Sequence, residues 1–526
     1  MPTTLWKNGR FVTLDPSLPR AEALVVKDGR IAYVGEPREA ADRAGPGAEL
    51  RDLGGRAVVP GFDDNHVHAV ILGDHSLAPD LGGLDDRRIV ELLRERFADA
   101  PPGRILMAYN WDYPACPEPR KEVLDEAFPR NPVVLSQFSG HAQWLNSSAL
   151  RAIGIRRGGP DPRRGQVLRD SDGEPTGIVR DLGDTALSRA RFRSIFFDAA
   201  MRDQRLAIAL ETFRRYGITS VQDNTWFYPE LFSLAALRRR GELTARFSTW
   251  SLGRRAWSTP AMRAVGALGG FDREWVRPGP VKYFLDGAFS TRTACLCEPY
   301  ADDPGDGLCA DPSAPFAELE FLARARLQGA FHIIGDRGIA IFLDAYERVR
   351  ARHPKIDELR IRIEHAQLVR AEDIPRLREA RILVSAQPSA LGSPEKDDRL
   401  LGPERARRAY PYRSLLDAGV PLSFGSDIPG EATCDPLWHI HMAANRSGPE
   451  RISALEALRC YTAGSAFAEF MEDDKGALRA GMLADFVVLS QDITGIAPEL
   501  IKDTVVEETV VGGTSVYRRA AEGPAS

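Results

Sequence analysis

The sequence predicts an α/β fold: a (β/α)8 TIM-type barrel, with a composite β-sandwich built from both termini and an inserted lid subdomain. Three observations predict it. Strand-like apolar runs alternate with helix-period segments through the middle of the chain, the pattern of a parallel sheet with crossover helices. Both ends carry short hairpin patterns that are too small to bury a core alone. A Gly-, Pro- and Arg-rich stretch between the first two strands is far too long for a strand-to-helix loop.

The opening strand is read at residues 58–62, and seven more follow at Ile218–Val221, Arg246–Trp250, Val281–Leu285, Ala330–Ile333, Ile361–Glu364, Ile382–Ala386 and Pro421–Phe424. Helices separate most of them. Leu206 to Tyr216 is amphipathic and stops at Gly217, a C-cap residue. Phe342, Ala345, Tyr346 and Val349 recur at helical spacing, and Pro411 can open a helix running to Ala418. Eight β/α units predict a closed parallel barrel, with an open doubly wound sheet as the competing arrangement.

At the N-terminus, Asp28-Gly29 stands between Ala23–Val26 and Ile31–Val34, a strong signal for a type I′ hairpin. Gly512-Gly513 plays the same part near the C-terminus. Pairing of the two ends gives a β-sandwich from residues 1–57 and 471–526, although two unrelated hairpins would read alike. Residues 58–74 then hold the first barrel strand, 75–200 the insertion and 201–470 the rest of the barrel. A segment that leaves the C-terminal end of strand one lies over the mouth of a barrel, so a lid role is expected.

Bulk properties narrow the function classes. The 526 residues are 43% hydrophobic and 27% charged, with a net charge of −5, as in ordinary soluble domains. A mildly acidic chain has no electrostatic reason to bind nucleic acid or an anionic membrane. No apolar run approaches the ~20 residues needed to span a bilayer, and the start has no signal-like segment, so a cytoplasmic location is expected. Six cysteines in this length suggest reduced thiols, not a disulfide framework. Cys295-Leu296-Cys297 has no second Cys pair nearby and reads as packing.

The chemistry gathers at strand ends. His66 and His68 form a His-x-His at the end of strand one, and i and i+2 on a strand face the same side. Two imidazoles aimed at one point are half of a zinc-type site. Lys282 lies in strand four, His332 on strand five, His365 after strand six and Asp427 after strand eight. Singly, each has a bland explanation: a packed histidine, a capping aspartate, a snorkelling lysine. Jointly, four of the nine histidines fall where barrel chemistry is built.

Ten stretches carry a resemblance: PGFDDNHVH, NWDYP, SGHAQWLNSSAL, DGEPTGIVRD, YGITSVQD, VKYFLDGAFSTRTA, HIIGDRG, RIEHAQ, AYPYRSLLDAGVPLSFGSDIP and KGALRAGMLADFVVL. With them the chain resembles metal-dependent hydrolases of the amidohydrolase superfamily, in the branch that contains N-substituted formamide deformylase. The resemblance implies that His66, His68, His332, His365 and Asp427 are metal ligands. It implies further that Lys282 is carbamylated and bridges two metals. Lys282 is read early in its strand, which leaves its reach open. The alternative is one metal on His66, His68, His332 and Asp427, with His365 orienting water or substrate.

The expected activity is cleavage of a C–N amide-type bond in a small molecule by a metal-activated hydroxide, with an N-substituted formamide or related amide as substrate. Asp427 and His365 are the expected catalytic residues, Asp427 as the proton shuttle. Zn2+ is the expected metal, one ion or two. A deaminase or cyclic-amide hydrolase using a single metal is the alternative, and a binding protein with a vestigial site a third reading. Trp111, His141, Asp286 and Arg292 are candidates for substrate contact. For each a structural role competes: Trp111, with Trp144 and Phe138, as core, and Arg292 in a surface pair. The segment from Pro388 to Pro403, with Lys396-Asp397-Asp398, reads as a mobile loop with a solvated charged face. The oligomeric state is open, with a homodimer as one option.

Overall fold

The computed structural model describes residues 3–520 apart from 162–164, 182–194, 227, 254–259, 261–262, 265–266, 269–270, 273 and 393. Parts of the insertion expected at 75–200 thus lie outside the described residues. Eight parallel strands form the central sheet: Phe62–Val67, Ile218–Trp226, Arg246–Leu252, Val276–Phe284, Gly329–Ile333, Arg362–His365, Leu383–Ala386 and Leu422–Phe424, numbered one to eight below. Helices lie between them, among them Ala199–Arg215, Pro229–Arg240, Ser313–Ala325 and Asp336–Arg352. The sheet curls into a nearly closed barrel. Its last gap is bridged at the C-terminal mouth, where Asp427 N–H donates to the His66 carbonyl at 2.7 Å and His68 N–H to the Ile428 carbonyl at 3.0 Å.

The opening strand needs correction. Ala57–Pro60 does not belong to the barrel; it pairs antiparallel with Phe486–Leu489, Val58 opposite Val488. Barrel strand one starts at Phe62, after the chain turns at Pro60-Gly61, and it contains His66. Gly61 is needed there, because a Cβ would run into the Thr219 side chain. The apolar run that suggested a barrel strand marks the sandwich core instead. The true strand one was hidden by its polar residues, Asp63, Asp64, Asn65 and His66, all buried.

Both termini build the outer sheets. A four-stranded sheet runs Arg30–Gly35, Ala23–Lys27, Thr4–Lys7, Glu49–Asp52. A six-stranded sheet runs Thr514–Arg518, Val506–Val511, Phe486–Leu489, Ala57–Pro60, Arg10–Val12, Arg20–Ala21. Trp6, Phe11, Leu24, Val58, Phe486 and Val510 share one core between them. The two hairpin turns have the left-handed backbone expected of them: φ is 51° and 78° at Asp28-Gly29, and 55° and 75° at Gly512-Gly513.

The insertion has a sheet of its own, in the order Gln166–Arg169, Pro175–Arg180, Ala142–Leu145, Val133–Gln137, Leu106–Trp111. Leu81, Ile89, Leu106, Leu135 and Trp144 form its separate core. The expectation of reduced thiols fails at one place: Cys295 and Cys309 form a disulfide in the loop after strand four. Spacing alone could not reveal it, since the partners are 14 residues apart in an irregular segment. The expected mobile loop after strand seven is ordered into short helices, Pro394–Leu401 and Pro403–Arg408. Among the described residues no helix is long and apolar enough to cross a membrane.

Candidate metal centre

His66, His68 and Asp427 each offer a ligand atom, all within 4.8 Å of one another. The seam between strands one and eight explains the convergence. Asp427 has φ 56°, a left-handed backbone that swings its carboxylate across the seam. Such strain collects at functional sites, where surrounding structure holds it in place. Asp427 Oδ1 then lies 3.4 Å from His66 Nε2 and 3.2 Å from His68 Nε2.

Each ring is fixed from behind. His66 Nδ1 donates to Glu364 Oε2 at 2.7 Å, and His68 Nδ1 donates to the Asn224 carbonyl at 3.1 Å. Donation from Nδ1 puts the lone pair on Nε2 in both rings, the tautomer a metal requires. Burial, with the Lys282 charge, holds the His66 ring well below the ordinary histidine pKa and therefore neutral. For Asp427 burial works upward, but its interactions with the His66 and His68 rings and the Lys282 ammonium prevail and hold its pKa below the ordinary carboxylate range.

Lys282 reaches this group. Strand four begins at Val276, so Lys282 stands near its C-terminal end. Its Nζ is 3.4 Å from His66 Nε2, and the residue is only 1% exposed. Burial pushes the ammonium pKa down to about 8.

His332 and His365 face each other across strands five and six, with ring centroids 4.3 Å apart. They stand outside the compact group of three. His332 Nε2 donates to the Gly287 carbonyl at 3.1 Å, which leaves Nδ1 as its free lone pair. His365 Nδ1 donates to Gln387 Oε1 at 2.7 Å, and its Nε2 is buried with no hydrogen-bond partner. Both rings are kept neutral, chiefly by burial. His365 and Ala366 have φ of 78° and 43°, a second strained corner at the mouth.

The other candidates separate clearly. His141 comes down from the insertion, its ring 5.0 Å from that of His332 and its Nδ1 2.6 Å from Asp181 Oδ1. Trp111 is fully buried in the insertion, where Nε1 donates to the Leu135 carbonyl at 2.9 Å. That is a packing contact within the insertion. Arg292 is held by Asp302 through two bonds of 3.0 and 2.7 Å, the pairing role. Asp286 is enclosed, accepting from the backbone N–H groups of Cys295, Ile334 and Gly335 at 3.1, 3.0 and 2.8 Å. It supports the loop beneath His332, with Oδ1 3.7 Å from His332 Nε2. The charges after strand seven are only partly solvated: Asp397 is buried, and Lys396 Nζ sits 4.7 Å from the Phe138 ring centroid. Sequence reading missed Glu364, Asn224, Gln387 and Asp181, although the residue before His365 was the available signal for the first.

The donor set suits a metal. Three buried neutral imidazoles and a carboxylate match the nitrogen and oxygen ligands of zinc-type sites, and the orphaned His365 Nε2 points to an absent partner. Comparison with known proteins agrees. The family model described as "Amidohydrolase family" matches residues 49–517. The YtcJ protein of Bacillus subtilis (strain 168) is 30% identical over 98% of this chain and 99% of its own length. N-substituted formamide deformylase of Arthrobacter pascens is 31% identical over 97% of this chain and 98% of its own. The crystal structure of an uncharacterized metal-dependent hydrolase from Pyrococcus furiosus superposes with a TM-score of 0.71 at 29% identity, covering 94% of this chain and all of that one. A match over nearly the whole chain, joined to a barrel mouth that gathers metal-type ligands, places the protein: it belongs to the amidohydrolase family, as a metal-dependent hydrolase.

Proposed function

We propose that the enzyme hydrolyses the C–N bond of a small amide, with N-substituted formamides as the first class to test. The observation that carries this reading is the convergence of His66, His68 and Asp427 on one point beside Lys282. His66, His68 and Asp427 would hold a divalent ion, Zn2+ by its preference for imidazole. Such an ion, when bound, supplies Lewis-acid polarisation of a carbonyl and acidifies water. Asp427, whose side chain keeps 21% exposure at the mouth, takes the proton of the attacking water. It returns that proton to the nitrogen as the C–N bond breaks, so that the products are a carboxylate and an amine. His141, oriented by Asp181, is placed to contact the carbonyl oxygen from above. His365 orients water or substrate, or joins His332 as a ligand.

The number of metals turns on Lys282. Its lowered pKa makes a neutral, nucleophilic amine accessible, the form that takes up CO2. The resulting carbamate would supply an anion between the first histidine pair and His332 with His365. A single-metal deaminase or cyclic-amide hydrolase is favoured instead by the bond from His332 Nε2 to the Gly287 carbonyl, which holds that ring apart from the compact group. Two assays decide. Metal content per chain, measured with and without bicarbonate during expression, reads one ion or two. A substrate panel scored for carboxylate and amine release against ammonia release reads the reaction. Loss of all turnover on chelation and recovery with Zn2+ is expected; full activity in metal-free protein overturns the reading.

A further inference from the structure

Below the metal group the barrel interior is polar where barrels are commonly filled by branched apolar side chains. Arg362, on strand six, is fully buried there. Its Nε donates to Glu364 Oε1 at 2.7 Å and its Nη2 to Glu364 Oε2 at 3.1 Å. Nη2 also donates to the Asn65 carbonyl at 3.0 Å, and Nη1 donates to Gln222 Oε1. The guanidinium lies 4.8 Å from the Trp250 ring centroid, and the His66 ring lies 5.0 Å from the same indole. Further bonds hold the layer together. Gln222 Nε2 donates to the Ser465 carbonyl at 2.8 Å, and Ser385 Oγ donates to Asn65 Oδ1 at 2.9 Å. Residues from strands one, two, three, six and seven therefore meet around one buried cation.

We propose that Arg362 and Glu364 form a positioning relay that fixes His66 for metal binding and so sets how tightly the enzyme keeps its metal. The inference rests on the metal-centre reading above. Glu364 accepts from Arg362 with both oxygens and from His66 Nδ1 with one, so its three bonds tie the imidazole to a side chain that cannot turn. A two-point Arg–carboxylate contact fixes orientation as well as charge. The carboxylate can only accept from Nδ1, so the Nε2 lone pair of His66 is presented toward Asp427 and Lys282, 3.4 Å from each. Carboxylate partners behind metal-bound histidines typically change metal affinity by about 10–100-fold.

The test compares Glu364→Gln with the parent and with His66→Asn, reading the metal dissociation constant by chelator competition and the d–d absorption of the Co2+-loaded protein. Metal affinity in Glu364→Gln is expected to fall by about 10–100-fold, with a changed Co2+ spectrum; the lost charge opposite the buried Arg362 also lowers the thermal midpoint of the metal-free protein. Glu364→Asp keeps the charge opposite Arg362, and hence the fold, while drawing the carboxylate back from Nδ1; it carries the same expectation. Unchanged affinity and spectrum in both Glu364 variants, with metal lost in His66→Asn, overturns the relay alone. Parent-like affinity in His66→Asn overturns the metal-centre reading itself.

Discussion

The two histidine pairs at the barrel mouth are held in different ways. His66 lies on strand one and His68 just beyond its end, each with Nδ1 tied from behind and Nε2 within 3.4 Å of Asp427. His332 and His365 come from neighbouring strands and lie against each other, with Asp286 3.7 Å from His332 Nε2 and Asp427 3.9 Å from His365 Nδ1, both farther than the first pair's 3.2 and 3.4 Å. Both pairs are sheltered from solvent. Proximity of imidazoles is thus not what makes a metal site. The first pair has fixed tautomers and an anion opposite. The second has a bond from Nε2 of His332 to a backbone carbonyl and an orphaned Nε2 on His365.

Removing the anion from the first pair breaks this contrast most directly. Asp427→Asn keeps the size and hydrogen bonding of the side chain but loses its base. Turnover should fall about a thousandfold, within the usual reach of a positioned acid–base group, while circular dichroism stays that of the parent. Undiminished turnover would remove Asp427 from the chemistry. Metal content then sharpens the comparison. His68→Asn should strip the protein of metal, whereas His365→Asn should lower the content by one ion at most; equal losses would make the pairs equivalent.

The disulfide offers a gentler handle on the second pair. Cys295 N–H donates to Asp286, and Asp286 receives the backbone N–H groups that follow strand five just beyond His332. Cys309→Ser opens a loop whose ends are 14 residues apart. Loss of that closure should cost about 3 kcal/mol of stability, read as a lower denaturant midpoint. Metal held by His66, His68 and Asp427 should remain. A variant as stable as the parent would show that the tie constrains nothing the fold does not already fix.

Much of the site was legible because metal ligands need definite residue types at definite places. A His-x-His at the C-terminal end of strand one, and an aspartate shortly after strand eight, fall at the mouth of an eight-stranded barrel. The rest depended on packing that sequence does not encode locally. Whether Trp111 faces a pocket or a core is decided by the insertion's own sheet, and Arg292 finds Asp302 only through the folding of its loop. Glu364 entered only as the end of a strand, and its value comes from Arg362 two residues earlier on the same face. The left-handed backbone of His365, Ala366 and Asp427 has no signature in residue type. Strand one was misplaced because hydrophobicity marks what is dry and apolar, whereas this strand is dry and polar.

The smallest expected effect is a pH dependence, and its sign follows from burial. Burial holds His66, His332 and His365 below their ordinary value of 6.5, so the folded metal-free protein keeps them neutral while the unfolded chain protonates them. The unfolded state then binds more protons, so this contribution is complete above pH 6.5 and is lost as pH falls below it. Each such histidine adds a slope of about 1.4 kcal/mol per pH unit. Asp63, Asp64 and Asp286, pushed up to about 7 mainly by burial, act in the opposite sense, because the folded state holds their protons over the same range. The total slope therefore conceals the histidines, and the informative quantity is a difference between proteins. Urea titrations of metal-free parent and His365→Asn at pH 7 and pH 5 should show a shallower acid loss in the variant, by about 1.4 kcal/mol per pH unit at most. Identical slopes would mean that His365 takes up its proton in the folded state, as a ring open to water does, and that the second pair is not the sealed, neutral pair its burial implies.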